Sequence, residues 1–236
     1  MNFEQKATYT MEDLLQITEI LRAPGGCPWD REQTHKSIRN NFIEETYEAV
    51  EAIDTENREL LQEELGDVLF QVVFHAQLEK EAGSFSFADV VDGVAKKLIE
   101  RHPHVFGDVR VSGTSDVLKN WDAIKQRTKG RNTLTEVLEG VSPALPALMR
   151  SQKVRRKAAK AEGPNLSQET ALSELDDAEQ SLRKISASSD EKDRLRCVGK
   201  LLFAAAALSE SLGVESEQAL AQYCDFFIEG VRRKGK

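Results

Sequence analysis

Two acidic motifs carry the chemistry that this sequence can offer. They are Glu44-Glu45-x-x-Glu48 and, after a short break, Glu64-x-x-Asp67. Residues three or four apart share one face of a helix, so Glu45 and Glu48 project together with Glu44 at the same edge. Glu64 and Asp67 do the same on the next helix. The stretch after Asp54 is short, so the two helices are expected to be antiparallel neighbours with their acidic pairs level. On the second helix the acids sit beside the apolar stripe Leu61, Leu65, Val68, Leu69, Val72, Val73 and Ala76. Carboxylates held this close repel one another and titrate above their ordinary range unless a cation joins them. All-oxygen ligation suits a hard ion, Mg²⁺ or Mn²⁺. Such an ion bridges phosphate oxygens and lowers the pKa of an attacking water. Acidic pairs also decorate ordinary solvated helix faces in a chain with 40 acidic residues. The combination of EExxE and ExxD beside an apolar stripe on adjacent helices is much rarer.

The elements that position these motifs follow from periodicity and caps. Thr10 and Asp13 read as the N-terminus of a first helix, which Pro24-Gly25-Gly26 ends. The segment GGCPWDREQ is expected to be a loop leading to a second cap at Thr34. Helices are expected from there through Ile53, over about Arg58–Glu81 with Gly83 as the stop, and over about Phe87–Arg101 with His102-Pro103 as the end. Residues 107–116 read as a loop, Val117–Thr128 as a further helix and TKGRN as a linker.

Composition narrows the function classes. The chain has 236 residues, 40% of them hydrophobic and 31% charged, with 14 Gly and 6 Pro. This favours an all-α fold of helices with charged outer faces. The net charge of -8 argues against a protein that wraps duplex DNA, so no nucleic-acid partner is expected. A nucleotide substrate stays compatible, because a bound cation screens phosphate from carboxylate. Cys27, Cys197 and Cys224 form neither a disulfide framework nor a zinc knuckle, which suits a cytoplasmic protein. No signal core is evident, and apolar runs such as LLFAAAAL at 201–208 are too short to span a bilayer, so no membrane partner is expected.

EETYE, EELGD and LIERHPHVFGD, with GGCPWDREQTHKS before them, resemble the MazG type of nucleoside triphosphate pyrophosphohydrolase. The likeness runs over nearly the whole chain, since LPALMRSQKV resembles the start of the family's second repeat. The resemblance implies four-helix repeats, usually dimerised, and Mg²⁺-dependent hydrolysis of a nucleoside triphosphate to monophosphate and pyrophosphate. It implies Glu45, Glu48, Glu64 and Asp67 as metal ligands, with Glu44 as an adjacent ligand or water-positioning base. It matches Lys97 and Arg101, four apart on one helix face, to the family's triphosphate-associated pair. Read without it, they are an ordinary charged face. Trp121 and Lys125 also match the family's pattern near the nucleotide, although Trp121 fits a core or dimer-interface aromatic equally well. Trp29 in CPWD reads either as a stacking platform for a base or as a loop anchor.

The second half follows the same plan. ELGDVLFQVV at 64–73 matches CVGKLLFAAA at 197–206, and EETYEAVEAI at 44–53 matches SELDDAEQSL at 173–182. In that alignment Glu44 becomes Ser173, Glu45 stays Glu174, Glu48 becomes Asp177, Glu64 becomes Cys197 and Asp67 becomes Lys200. Lys97 and Arg101 fall at about Phe226 and Gly230. The expectation is a catalytic domain over 1–130 and a degenerate copy over 141–236 that does not hydrolyse nucleotides. Amphipathic hairpins that share only the helical period are the plainer reading.

Smaller motifs weigh less. KVRRKAAKA at 153–161 reads as a solvated basic face. His102-Pro103-His104 lacks further zinc ligands at proper spacing. Glu32-x-x-His35 is one half of a di-iron pattern that needs two. Two rival functions stand beside the main one. A phosphoribosyl-ATP pyrophosphatase shares the acidic helix pair, but the CPWD segment and second repeat speak against it. A non-catalytic helical dimer binding nucleotide or a partner is opposed by the intact acidic set.

Overall fold

A computed structural model describes residues 3–129, 133–162, 167–185 and 190–235. The side chains of residues 122, 125–129 and 162 also lie outside the described set. Among the described residues all regular structure is helical. The chain divides into two compact units, Met1–Trp121 and Asp122–Lys236.

The first unit opens with α1 (Met11–Arg22). Its capping box joins Thr10 and Asp13, each side chain meeting the other's backbone N–H. Gly26 then folds back so tightly that a Cβ there would lie 2.3 Å from the Ile20 carbonyl oxygen, which requires glycine. The segment read as a loop contains a short helix, α2 (Pro28–Glu32), started by a proline at its first position. Thr34 does not cap the next helix. It exchanges hydrogen bonds with Ser37 in a turn, and α3 spans Arg39–Asp54. Only three residues join α3 to α4 (Arg58–Glu81), with Glu56 at φ 53° and Asn57 capping α4. So short a connection fixes the two helices as an antiparallel pair, and they form the most extensive packing in the unit. α1 also lies against α4.

Gly83, at φ 71°, ends α4, as its left-handed conformation requires. α5 (Phe87–Arg101) and the short α6 (Pro103–Phe106) follow, and α5 packs on α4. α7 (Thr114–Lys129) begins earlier than expected, inside the stretch read as loop. The TKGRN linker falls on the end of α7 and on residues outside the described set.

The expected apolar stripe of α4 is buried only in its C-terminal half. Val73, Phe74 and Ala76 form core, whereas Leu65 is 55% exposed. Leu69, on the same stripe, is 39% exposed as well, so the packing of α4 leaves part of its apolar face open.

The second unit contains α8 (Leu134–Glu139), α9 (Ala147–Glu162), α10 (Gln168–Arg183), α11 (Glu191–Ser211) and α12 (Ser216–Lys234). α10 and α11 form its main packed pair, α9 lies against α11, and α12 follows a left-handed glycine, Gly213, at φ 70°. Alanines 204, 206 and 207 fill the seam. Among the described residues no single helix is long and apolar enough to cross a membrane.

Candidate metal centre

The antiparallel α3–α4 pair brings three of the expected carboxylates together. Glu45, Glu48 and Glu64 each offer an oxygen, and these oxygens all lie within 4.8 Å of one another. Glu64 is only 7% exposed, Glu45 half-buried and Glu48 exposed, so the cluster runs from the seam out to solvent. Asp67 lies outside that group of three but close enough to act on it. Glu44 is exposed and also outside it.

The electrostatics show the strain of this arrangement. Burial raises the pKa of Glu45 first, and the charges of Asp67, Glu48 and Glu64 raise it further. Burial likewise leads for Glu64, followed by the charges of Glu48, Asp67 and Glu63. Glu48 lies against both and adds to the upward shift of each. The Oε2 atom of Glu64 is buried and has no hydrogen-bond partner. A buried oxygen without a donor, among carboxylates that resist ionising together, is what a hard divalent cation satisfies. The oxygen-only donor set therefore fits a divalent metal.

The expected cationic and aromatic residues are spread more widely. Lys97 is exposed on α5. Arg101, one turn on, is half-buried with its guanidinium 5.4 Å from the Trp121 ring centroid. His102 meets the same ring edge-on at 4.9 Å, and Arg101 Nε is buried without a partner. Trp121 is thus half-buried and packed on the Arg101–His102 turn. The side chain of Lys125 lies outside the described residues. Trp29 stands 59% exposed on α2. Its helix is anchored by Arg22, which donates to the carbonyls of Asp30 and Gln33, pairs with Glu81 at 2.8 Å and lies over Phe74.

Farther along α4 lie groups that the acidic motifs did not announce. His75 and His35 stack with planes 1° apart and share a hydrogen bond between their Nδ1 atoms at 2.7 Å. His35 Nε2 lies 2.8 Å from Glu79, and Phe42 of α3 packs on His75. Burial and the neighbouring His35 lower the His75 pKa. Between this group and Asp67 sits Gln71, buried, with an unpartnered Oε1. The signal for Gln71 and His75 was present as two polar interruptions of an apolar stripe.

Comparison with known proteins bears on the same residues. A family model described as the MazG nucleotide pyrophosphohydrolase domain matches residues 33–106, the stretch that holds the acidic cluster, Lys97 and Arg101. The nucleoside triphosphate pyrophosphohydrolase/pyrophosphatase MazG of Thermotoga maritima is 38% identical over 229 residues, covering 97% of this chain and 87% of that protein. The nucleoside triphosphate pyrophosphohydrolase of Escherichia coli K12 is 39% identical over 217 residues, covering 89% and 81%. That of Mycobacterium tuberculosis is 37% identical over 197 residues, covering 80% and 58%.

Proposed function

Because the chain belongs to the MazG nucleotide pyrophosphohydrolase family, we propose that it hydrolyses nucleoside triphosphates to the monophosphate and pyrophosphate with Mg²⁺. The observation that carries the reading is the convergence of Glu45, Glu48 and Glu64 with a buried, unpartnered oxygen on Glu64. Glu45, Glu48, Glu64 and Asp67 hold the ion, and Mn²⁺, with the same oxygen preference, substitutes for it. When bound, the ion supplies charge stabilisation at the phosphates and acidifies a coordinated water.

The chain's own residues do the remaining work. One anhydride P–O bond breaks, water oxygen bonds to phosphorus, and the water proton passes to a carboxylate of the cluster. Glu44, exposed beside Glu45, orients that water. Lys97 and Arg101 offset the charge of the departing pyrophosphate. Trp121 holds the Arg101 guanidinium by its ring face, which limits its rotamers and favours one orientation of the fork. Trp29 offers an open ring for a base, and the likeness to the family assigns Lys125 as a further substrate-binding cation.

The second unit is a degenerate copy of the first that takes no part in the chemistry. The matching order of its helices and the left-handed glycines after α4 and α11 support this. The protein acts as a cytoplasmic homodimer. Unpaired cysteines suit a reducing compartment, and the exposed Tyr223, Phe226, Phe227 and Val231 of α12 offer apolar surface for association.

The test is a panel of ribo- and deoxynucleoside triphosphates with Mg²⁺ and with EDTA, products resolved by phosphorus NMR. Monophosphate with pyrophosphate, lost in EDTA, is expected. Diphosphate with orthophosphate would overturn the reaction assigned here, and turnover of phosphoribosyl-ATP alone would move the enzyme to the rival activity.

A further inference from the structure

We infer that Gln71 reads the nucleobase of the substrate, with Phe42, His75 and His35 forming the surface on which that base rests. The inference rests on the pyrophosphohydrolase reading and names the part of the site that selects among substrates.

The placement follows from helix geometry. Glu64, Asp67, Gln71 and His75 recur at steps of three or four and so occupy one face of α4. Both ends of that row meet α3. Glu64 interacts with Glu48, and His75 packs on Phe42 with ring centroids 5.6 Å apart. Gln71 therefore lies in the α3–α4 seam, about 6 Å beyond Asp67 at a rise of about 1.5 Å per residue. That separation suits the sugar and base of a nucleotide whose phosphates sit at the acidic cluster.

The chemistry of the seam changes along this row. At Glu64 and Asp67 it is anionic and suits a metal-bound triphosphate. At His75 and His35 it is aromatic, with two parallel imidazole planes and the Phe42 ring. The aromatic end is open to solvent through His35. Gln71 stands between, 8% exposed, its Oε1 without any hydrogen-bond partner. A buried amide oxygen left unpaired carries an uncompensated desolvation cost. The core gains nothing from it, since a methionine would fill the space without that cost. A ligand that donates to the oxygen removes the cost, and the amide's side-by-side donor and acceptor match the edge of a base. A site built to hydrogen-bond a base rejects an analogue with the wrong pattern strongly, because its buried amide is then left unpaired.

The experiment compares kcat/KM for dATP, dGTP, dCTP and dTTP in the wild type, Gln71→Met and Glu64→Gln, with thermal melts of each. The wild type is expected to discriminate among the four bases. Gln71→Met should lower kcat/KM for the preferred base by about tenfold to a hundredfold and flatten the ranking. Its melting temperature should be unchanged or higher. Wild-type rates that are alike for all bases overturn the inference. So does a loss in Gln71→Met that is equal for all four, or a fall in its melting temperature, because either marks a structural role. Persisting activity in Glu64→Gln counts instead against the metal-site reading, so the two failures are separable.

Discussion

The two units pair their helices in the same order but spend their buried polar groups differently. In the α3–α4 seam, Glu64 Oε2 and Gln71 Oε1 are buried and unpartnered, and neighbouring carboxylates crowd one another. In the second unit, buried Gln152, 2% exposed, accepts from the backbone N–H and hydroxyl of Ser216 and donates to the Val214 carbonyl. Glu174, aligned with Glu45, is paired with Arg155 at 2.9 Å, and that guanidinium also lies 5.8 Å from the Phe203 ring. Lys200 reaches Ser181 at 3.5 Å. Arg155 Nε is the one buried side-chain polar atom of this unit without a partner among the described residues. The first unit tolerates repulsion and unpaired oxygens, whereas in the second an arginine, Arg155, stands against Glu174. Stability given up locally in this way is the usual mark of a working site.

The register of the second unit sharpens the point. Its capping glycine, Gly213, lies 130 residues after Gly83, whereas the sequence match of α4 to α11 uses an offset of 133. The difference is close to one helical turn, so both registers present the same face. One places Cys197 and Lys200 at the positions of Glu64 and Asp67, the other Arg194 and Cys197. Neither restores a carboxylate pair.

The largest expected effect is at the acidic cluster itself. Glu64→Ala should lower kcat/KM by about a thousandfold or more, while Glu174→Ala should stay within about twofold of wild type. A pyrophosphate-release assay on both variants checks it. Comparable losses in the two would end the contrast between a working and a worn unit.

A substantial effect is expected at Arg101. Arg101→Lys keeps the charge but loses the fork held over Trp121 and should cost about tenfold in kcat/KM. Lys97 stands exposed without that ring beneath it, so Lys97→Arg should cost less. Steady-state kinetics on the pair decide whether the preorganised or the free cation matters more.

Stability against pH should separate the units by metal response. Glu45 and Glu64 are raised in the fold, so the folded chain holds their protons more tightly than the unfolded one. Their contribution is therefore most favourable below the ordinary glutamate range and is lost as pH rises through the raised values. Mg²⁺ should take over the proton's role at neutral pH and raise the melting temperature there. The gain should shrink towards about pH 5, where protons compete for the same oxygens. Glu64→Gln should raise the metal-free melting temperature at neutral pH and weaken the Mg²⁺ response. Differential scanning calorimetry reads both, and a Mg²⁺ gain unaltered by the variant would falsify the assignment.

The smallest effect belongs to the second unit. Arg155→Met removes a partly exposed ion pair and should cost about 1 kcal/mol of stability without changing kcat. Chemical denaturation monitored by circular dichroism tests it, and a fall in kcat would show that the second unit reaches the chemistry.

The all-α class, the helix over Arg58–Glu81 and that over Phe87–Arg101 were legible in the residues, because periodicity, caps and stop glycines act over a few positions. So was the pairing of Glu45 with Glu48 and of Glu64 with Asp67, since spacing on one helix is a local property. The α2 helix and the true start of α3 were not. They depend on Arg22 gathering the Asp30 and Gln33 carbonyls from a distance in sequence. Which carboxylate is buried, that Gln71 stands unpaired, that His35 meets His75 and that Trp121 lies over Arg101 were decided only by tertiary packing. Each depends on the rotation and register of one helix against another, and a one-dimensional pattern carries the face of a helix but not what is brought against it.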